Sequence, residues 1–280
     1  DWSSDVCSSD LGGTVRAMSD GYTCFDIQLD DGVATVTLNR GEQLNTMVPA
    51  FWEELPTLVR ELEEDPKGYT EELWRQMVSL GWTGLAFPEE YGGTGGNFLD
   101  LAVLLEEMGK ALVPGPFFST VVLGGLTVMD AGNEEQKRQI LTGICDGQIR
   151  LTLALTEPSA TYEPWGVETT AAKLGDGYVL NGTKLFVPDA HVADLLLVVA
   201  RTSSGSDPAE GLTVFLVPRE SAGISITVLN SIASDKLCEI VLDGVNVPAS
   251  SVLGEAGQGW PVVQRAMERA TSGKCMEMLG

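Results

Sequence analysis

Histidine is nearly missing from this chain: among 280 residues there is only His191. That excludes any mechanism needing two imidazoles, including most histidine-based zinc sites, and leaves His191 as a surface or strand-edge residue. Basic residues are scarce as well. Seventeen Lys and Arg stand against 40 Asp and Glu, a formal net charge of −23. Nucleic acid and anionic membranes both need a basic face, so neither is expected as a partner. No run approaches ~18 uncharged apolar residues, so no transmembrane helix is expected. The opening residues lack the basic-then-apolar order of a signal peptide. Cysteine is thinly scattered (Cys7, Cys24, Cys145, Cys238 and Cys275) with no C-x-x-C spacing, which suits free or buried thiols in a reducing cytoplasm. Asn181-Gly182-Thr183 fits a glycosylation pattern only by chance in that setting. What the chain does have is 44% apolar content, enough for the cores of two modest domains.

The first residues, DWSSDVCSSDL, repeat Ser-Ser-Asp without apolar periodicity, which predicts disorder. They also resemble the translation of a sequencing adapter. FDIQLDDGVATVTL alternates about Asp31-Gly32 as a hairpin does. VPAFWEELPTLVRELEED follows with helical spacing, which Pro56 should kink or break. Helical periodicity then runs from about residue 70. YTEELWRQMVSLGW has Thr70 as its cap and Gly81 as its end, and NEEQKRQILTGICDG has Asn133 as its cap with acids in its first turn. NFLDLAVLLEEMGKAL carries an apolar stripe, while FFSTVVLGGLTVMDAG is apolar nearly all round and therefore central. FPEEYGGTGGN is glycine-rich but follows no strand, so it reads as a tight loop rather than a phosphate cradle.

At Arg150 the period changes to that of strands: RLTLALTE, TTAAKLGDGYVLNGTKLFV, DLLLVVART, LTVFLVP, ISITVL and EIVLDGVNVP. Asp176-Gly177 and Asn181-Gly182 mark hairpins, and TSSGSDPAEG (202–211) reads as a flexible loop. Helical spacing resumes with WPVVQRAMERATSGKCMEML.

From residue 69 onward the phrases GWTGLAFPEEYGGTGG, LLEEMGKAL, LALTEP, LNGTKLFVPDA and LCEIVLDGVNVPASSVLG resemble the acyl-CoA dehydrogenase family, in its order and spacing. The segment FDIQLDDGVATVTLNRGEQLNTMVPAFWEEL resembles the start of the enoyl-CoA hydratase (crotonase) family, ending at Lys67. The expected organisation is a leader (1–16), a crotonase-like fragment (17–67), a helical domain (68–150), a middle β domain (151–250) and the start of a C-terminal helical domain (251–280). The fold class is α+β, with an antiparallel sheet or barrel in the middle. Such a join predicts an assembly chimera, with a hydratase/dehydrogenase fusion of fatty-acid β-oxidation as the alternative.

The resemblance implies a cytoplasmic FAD flavoprotein that oxidises an acyl-CoA between its α and β carbons. It also implies an electron-transfer flavoprotein or similar acceptor, and a homo-oligomer for the intact family member. In LALTEP it implies that Leu153 and Leu155 offer backbone groups to the flavin and that Thr156 offers its hydroxyl, with Glu157 and Pro158 shaping the turn. Phe186 matches an aromatic that lies along the flavin, with Val187 and Pro188 beside it. Where the family commonly has Gly-Ala-Gly-Ser-Asp, this chain has Ser159-Ala160-Thr161-Tyr162-Glu163. Thr161 is left as a hydroxyl donor for the cofactor, and Tyr162 stands at the CoA end as the substrate contact. Pro188 replaces a common threonine and removes a backbone donor. No residue is assigned as catalytic base: the matching helix position is Ala270. Glu268, about 200° away around a helix, and Glu277, two turns on, both suit a solvated face.

Overall fold

The computed structural model describes residues 16–17, 23–30, 33–39, 49–50, 54, 67–231 and 235–280. The chain divides into two compact units, 1–66 and 67–280.

In the first unit β2 (Phe25–Asp30) and β3 (Val33–Leu38) pair antiparallel, with Asp30 opposite Val33, as alternation about Asp31-Gly32 predicts. Cys24, Phe25 and Ile27 are buried, while Val36 and Leu38 are exposed. A short β1 (Arg16–Ala17) adds to β2 through Arg16 opposite Leu29, so Arg16, expected in a disordered leader, is paired in a sheet. The turn Asp31-Gly32, the leader through Val15 and the kink expected at Pro56 lie outside the described residues.

In the second unit three helices begin where a polar side chain satisfies one of their free N–H groups. Thr70 accepts from Leu73 N–H at the start of α1 (Glu71–Ser79), and Gly81 follows the helix at φ +74°. Asn97 and Asp100 form a capping box on α2 (Phe98–Lys110), as Asn133 and Gln136 do on α4 (Glu134–Cys145). The apolar segment between them is two structures in series, a π-helix (Phe118–Gly125) continuing as α3 (Leu126–Ala131), and most of its residues are buried. The glycine-rich loop uses its amides internally. The N–H groups of Gly93, Thr94, Gly95 and Gly96 donate to the carbonyls of Pro88, Gly84, Phe87 and Leu85.

The β part is one sheet in the order β11-β8-β7-β5-β6-β10-β9, with β4 also on β7. Its strands are β4 (Leu151–Ala154), β5 (Thr170–Leu174), β6 (Gly177–Pro188), β7 (Leu195–Arg201), β8 (Leu212–Pro218), β9 (Ile224–Val228), β10 (Leu237–Pro248) and β11 (Val252–Leu253). It is not wholly antiparallel: β4 runs parallel along Leu195–Val198 of β7, and β5 meets the same strand in parallel at Arg201. Nor does it close into a barrel among the described residues, since β9 and β11 are its ends.

Alternation along β7 and β8 divides the core. Leu197, Val199, Leu212, Val214 and Leu216 face the helices, whereas Leu196, Val198, Ala200, Phe215 and Val217 face residues of β6 and β10 across the folded sheet. That is why these two strands read as unbroken apolar runs. The last helix, α5 (Gly259–Leu279), packs on α2 so closely that a Cβ on Gly109 would lie 2.0 Å from Glu277 O.

Of the two expected hairpins, the one at Asp176-Gly177 joins β5 to β6, but Asn181-Gly182 lies inside β6. Gly182 is there because a Cβ would sit 2.8 Å from Thr169 Cα, and Asn181 Oδ1 accepts from Gly244 N–H in a bulge of β10. The loop 202–211 is tied down: Arg201 donates to the carbonyls of Pro208 and Glu210 on one side and of Pro164 and Val167 on the other.

Candidate functional site

β4 ends at Ala154 and the chain turns through Leu155, Thr156 and Glu157. Three bonds fasten this turn to β6. Leu185 N–H donates to Thr156 O at 2.9 Å, Lys184 Nζ donates to Leu155 O at 3.2 Å, and Lys184 Nζ meets Glu157 Oε1 at 2.6 Å. Lys184 is fully buried and Glu157 nearly so. The remaining capacity of the Glu157 carboxylate accepts from Glu168 N–H (2.8 Å) and Thr169 N–H (3.1 Å). Burial pushes the Lys184 ammonium down to about 8, and Glu157 opposes that shift.

Immediately beyond Lys184, β6 contains one residue more than β10 between the pairs Lys184–Ile240 and Val187–Cys238. This bulge holds Phe186 at φ +55° and leaves its ring 48% exposed. Bulges re-aim side chains in this way, and a bulky residue at positive φ marks a conformation maintained by its surroundings. The Thr156 hydroxyl, on the turn bonded to this bulge, has no hydrogen-bond partner among the described residues. The backbone bond from Leu185 N–H to Thr156 O thus joins a turn carrying a buried, unpartnered hydroxyl to the strand segment that exposes the Phe186 ring.

The other expected contacts divide. Leu153 and Leu155 turn their side chains into the helical core, which leaves only their backbone groups for a ligand, and the Leu155 carbonyl already accepts from Lys184. Val187 is not at the surface: its side chain is 1% exposed in the core between the sheet layers, because the bulge reverses the alternation after Phe186. The Pro188 carbonyl accepts from the Thr152 hydroxyl at 2.6 Å. Thr161 and Tyr162 lie on the loop after the turn. There Thr161 Oγ1 accepts from Glu163 N–H, and Tyr162 is 65% exposed. That loop folds on itself, with Ala160 at φ +52° and Gly166 so near Thr161 that a Cβ would lie 2.1 Å from its methyl.

Behind Phe186, Asp189 sits at φ +54° and accepts from the Ser119 hydroxyl of the π-helix at 2.6 Å. Burial pushes the Asp189 carboxyl up from its ordinary 3.8, and the Ser119 bond, His191 and Lys274 oppose that shift. His191 lies half-buried, with Nε2 3.2 Å from Lys67 O and Nδ1 3.8 Å from the buried Cys238 Sγ. Neither Lys184 nor Asp189 was singled out in the sequence, where Lys184 reads as a charge on an alternating strand and Asp189 as a charge in the turn that follows it.

On α5, Ala270 packs against the helical core. Glu268 is exposed and accepts from Gln264, and Glu277 pairs with Lys274 at 2.6 Å. Among the described residues no group of three His, Cys, Asp or Glu is arranged to hold a metal, and no helix is long and apolar enough to cross a membrane.

The residues at the turn and bulge suit a flavin: a polar hydroxyl without a partner and an exposed aromatic face, carried on rigid strands. Comparison with known proteins agrees. The N-terminal domain model of acyl-CoA dehydrogenases matches residues 40–148 and the middle-domain model matches 152–245. The first match enters the segment that resembles crotonases. A probable acyl-CoA dehydrogenase of Bacillus subtilis (strain 168), YngJ, is 34% identical over 192 residues, 67% of this chain and 50% of that protein. The short-chain specific acyl-CoA dehydrogenase of Megasphaera elsdenii is 33% identical over 228 residues, 78% of this chain and 59% of that one. Among solved structures, butyryl-CoA dehydrogenase from Megasphaera elsdenii superposes with a TM-score of 0.69 at 31% identity, covering 75% of this chain and 57% of that chain. The chain spans about half the length of the curated relatives it matches. Through its helical N-terminal domain and its middle β domain, it belongs to the acyl-CoA dehydrogenase family, whose members are FAD flavoproteins.

Proposed function

We propose that residues 67–280 form the flavin-binding part of an acyl-CoA dehydrogenase. The carrying observation is the 2.9 Å bond from Leu185 N–H to Thr156 O, which joins the turn bearing the unpartnered Thr156 hydroxyl to the strand segment bearing the exposed Phe186. Bound FAD supplies the hydride acceptor for α,β-dehydrogenation of an acyl-CoA thioester. The chain's own groups then hold and orient. Thr156 offers a hydroxyl to the polar edge of the ring system, Phe186 offers a flat apolar wall, and Pro188, lacking an N–H, offers only shape. Thr161 is placed to donate its remaining hydroxyl hydrogen and Tyr162 to meet the acyl-CoA, both from the exposed loop.

Removal of the α-proton needs a carboxylate at the reacting carbon. The matching helix position holds Ala270, and the carboxylates of Glu268 and Glu277 are engaged elsewhere. The chain as written therefore binds flavin but turns substrate over negligibly, in a cytoplasmic setting with an electron-transfer flavoprotein as the family's acceptor. The division at residue 66 supports an N-terminal segment built separately, while the dehydrogenase match from residue 40 weighs against assigning 40–67 to a crotonase.

The test is titration of the purified chain with FAD, followed by anaerobic addition of butyryl-CoA. The expected outcome is bound flavin that is not bleached. Steady turnover at even a hundredth of a typical enzyme rate of ~10 s⁻¹ would show that another group serves as base. Absence of flavin binding would overturn the reading itself.

A further inference from the structure

The buried Lys184–Glu157 pair is not explained by stability. Removing an ammonium and a carboxylate from water costs several kcal/mol for each, and well-packed apolar residues of similar volume are often as stable or more so. What distinguishes this pair is where its bonds lead. From the centre of β6, one residue before the bulge that presents Phe186, Lys184 reaches Leu155 O at the near side of the turn. Through Glu157 it reaches the far side, because that carboxylate also accepts from the N–H groups of Glu168 and Thr169, just where β5 begins. The rung from Leu185 N–H to Thr156 O lies between these two anchors.

We propose that Lys184 and Glu157 are a positioning pair for the flavin, holding the Thr156 hydroxyl at a fixed place relative to the Phe186 ring. The inference rests on the flavin reading above and deepens it. Lys184 and Glu157 are both buried, so in this reading they act through the turn and the bulge rather than by touching the ligand. Replacing both members by apolar residues strands no charge, so the fold should lose less than when one member alone is removed. The site still loses its anchors, because an apolar pair has no donor for Leu155 O and no acceptor for the amides of Glu168 and Thr169. Supporting groups of this kind commonly change ligand affinity by about tenfold or more.

The experiment compares the full chain with Lys184→Met and with the double variant Lys184→Met/Glu157→Leu. Three quantities are read: the melting temperature without FAD, the FAD dissociation constant from quenching of flavin fluorescence, and hydrogen exchange at the Leu185 amide without FAD. Lys184→Met alone should be the least stable of the three, since it strands a buried carboxylate. The double variant should melt above Lys184→Met, since it strands no charge, but below the unaltered chain, since three backbone groups lose their partners. Its FAD dissociation constant should rise about tenfold or more, and its Leu185 amide should exchange faster. A double variant that binds FAD as tightly as the unaltered chain overturns the proposal alone. One that fails to fold shows the pair to be a requirement of the fold, which also overturns it. If the unaltered chain binds no FAD, the flavin reading falls and takes the proposal with it.

Discussion

At the scale of single residues, the site depends on charges held where water is scarce. Lys184, displaced by burial from its ordinary 10.5 to about 8, has a pH dependence whose sign separates binding from stability. Between those two values the unfolded chain retains a proton that the folded chain has lost. The Lys184 contribution to stability therefore rises with pH across that window. The ion pair that fixes Thr156 weakens over the same range. FAD affinity should thus fall as pH rises through about 8, without a matching loss of melting temperature from this group, and flavin titrations beside thermal melts across that range will show it. Asp189 has the opposite sign. With its carboxyl raised by burial, the unfolded chain releases that proton first, and the Asp189 contribution to stability falls as pH climbs from 3.8. Asp189→Asn removes this penalty. Asparagine tolerates φ +54° and still accepts from Ser119. The melting temperature at neutral pH should rise by about 2 °C or more, and the gain should shrink on acidification. A fall instead would mean that the attraction of His191 and Lys274 for the carboxylate outweighs its desolvation.

At the scale of elements, the parts legible in the sequence are those whose cause is local. The caps at Thr70, Asn97 and Asn133 sit within three residues of the N–H groups they satisfy, so the helices begin where polar side chains meet apolar periodicity. The π-helix was not legible, because a segment apolar all round has no phase from which to read its winding. Asn181-Gly182 carries a turn signal, yet the glycine answers to Thr169 across the sheet, a neighbour twelve or more positions away. Lys184 was hidden for the same reason, since its partner lies 27 residues earlier on another element. Close packing of α2 on α5 is likewise non-local and gives a test in which two magnitudes compete. Gly109→Ala gains about 1 kcal/mol of helix propensity. It also places a Cβ 2.0 Å from Glu277 O, an overlap whose relief by backbone shift costs about 1–3 kcal/mol. Overlap with a carbonyl on a second helix falls at the upper end of that range. Thermal melts should show a loss of about 2–4 °C for each kcal/mol of the difference. A higher melting temperature would mean that α5 can move away from α2 at no cost.

At the scale of the whole molecule, the net charge of −23 acts on any anionic ligand before it touches the site. FAD carries a pyrophosphate, and in the proposed site the loop after the turn would offer it Glu163 and Thr161 and no cation. Arg201, which donates to Pro164 O just after this loop, is engaged with four backbone carbonyls. The ring system and the pyrophosphate therefore experience the protein differently. In the proposed site Thr156 and Phe186 would meet the first through a hydroxyl and an apolar face, neither of which depends on salt, whereas the second would approach a surface of its own sign. Raising ionic strength to about 0.15 M shortens the screening length to about 8 Å and removes most of that long-range repulsion. FAD affinity should accordingly strengthen with added salt, while the affinity for riboflavin, which has no phosphate, should stay flat. Titrating both flavins at low and physiological salt tests this directly. FAD binding that weakens with salt would place a cationic contact at the pyrophosphate that outweighs the field of the whole chain.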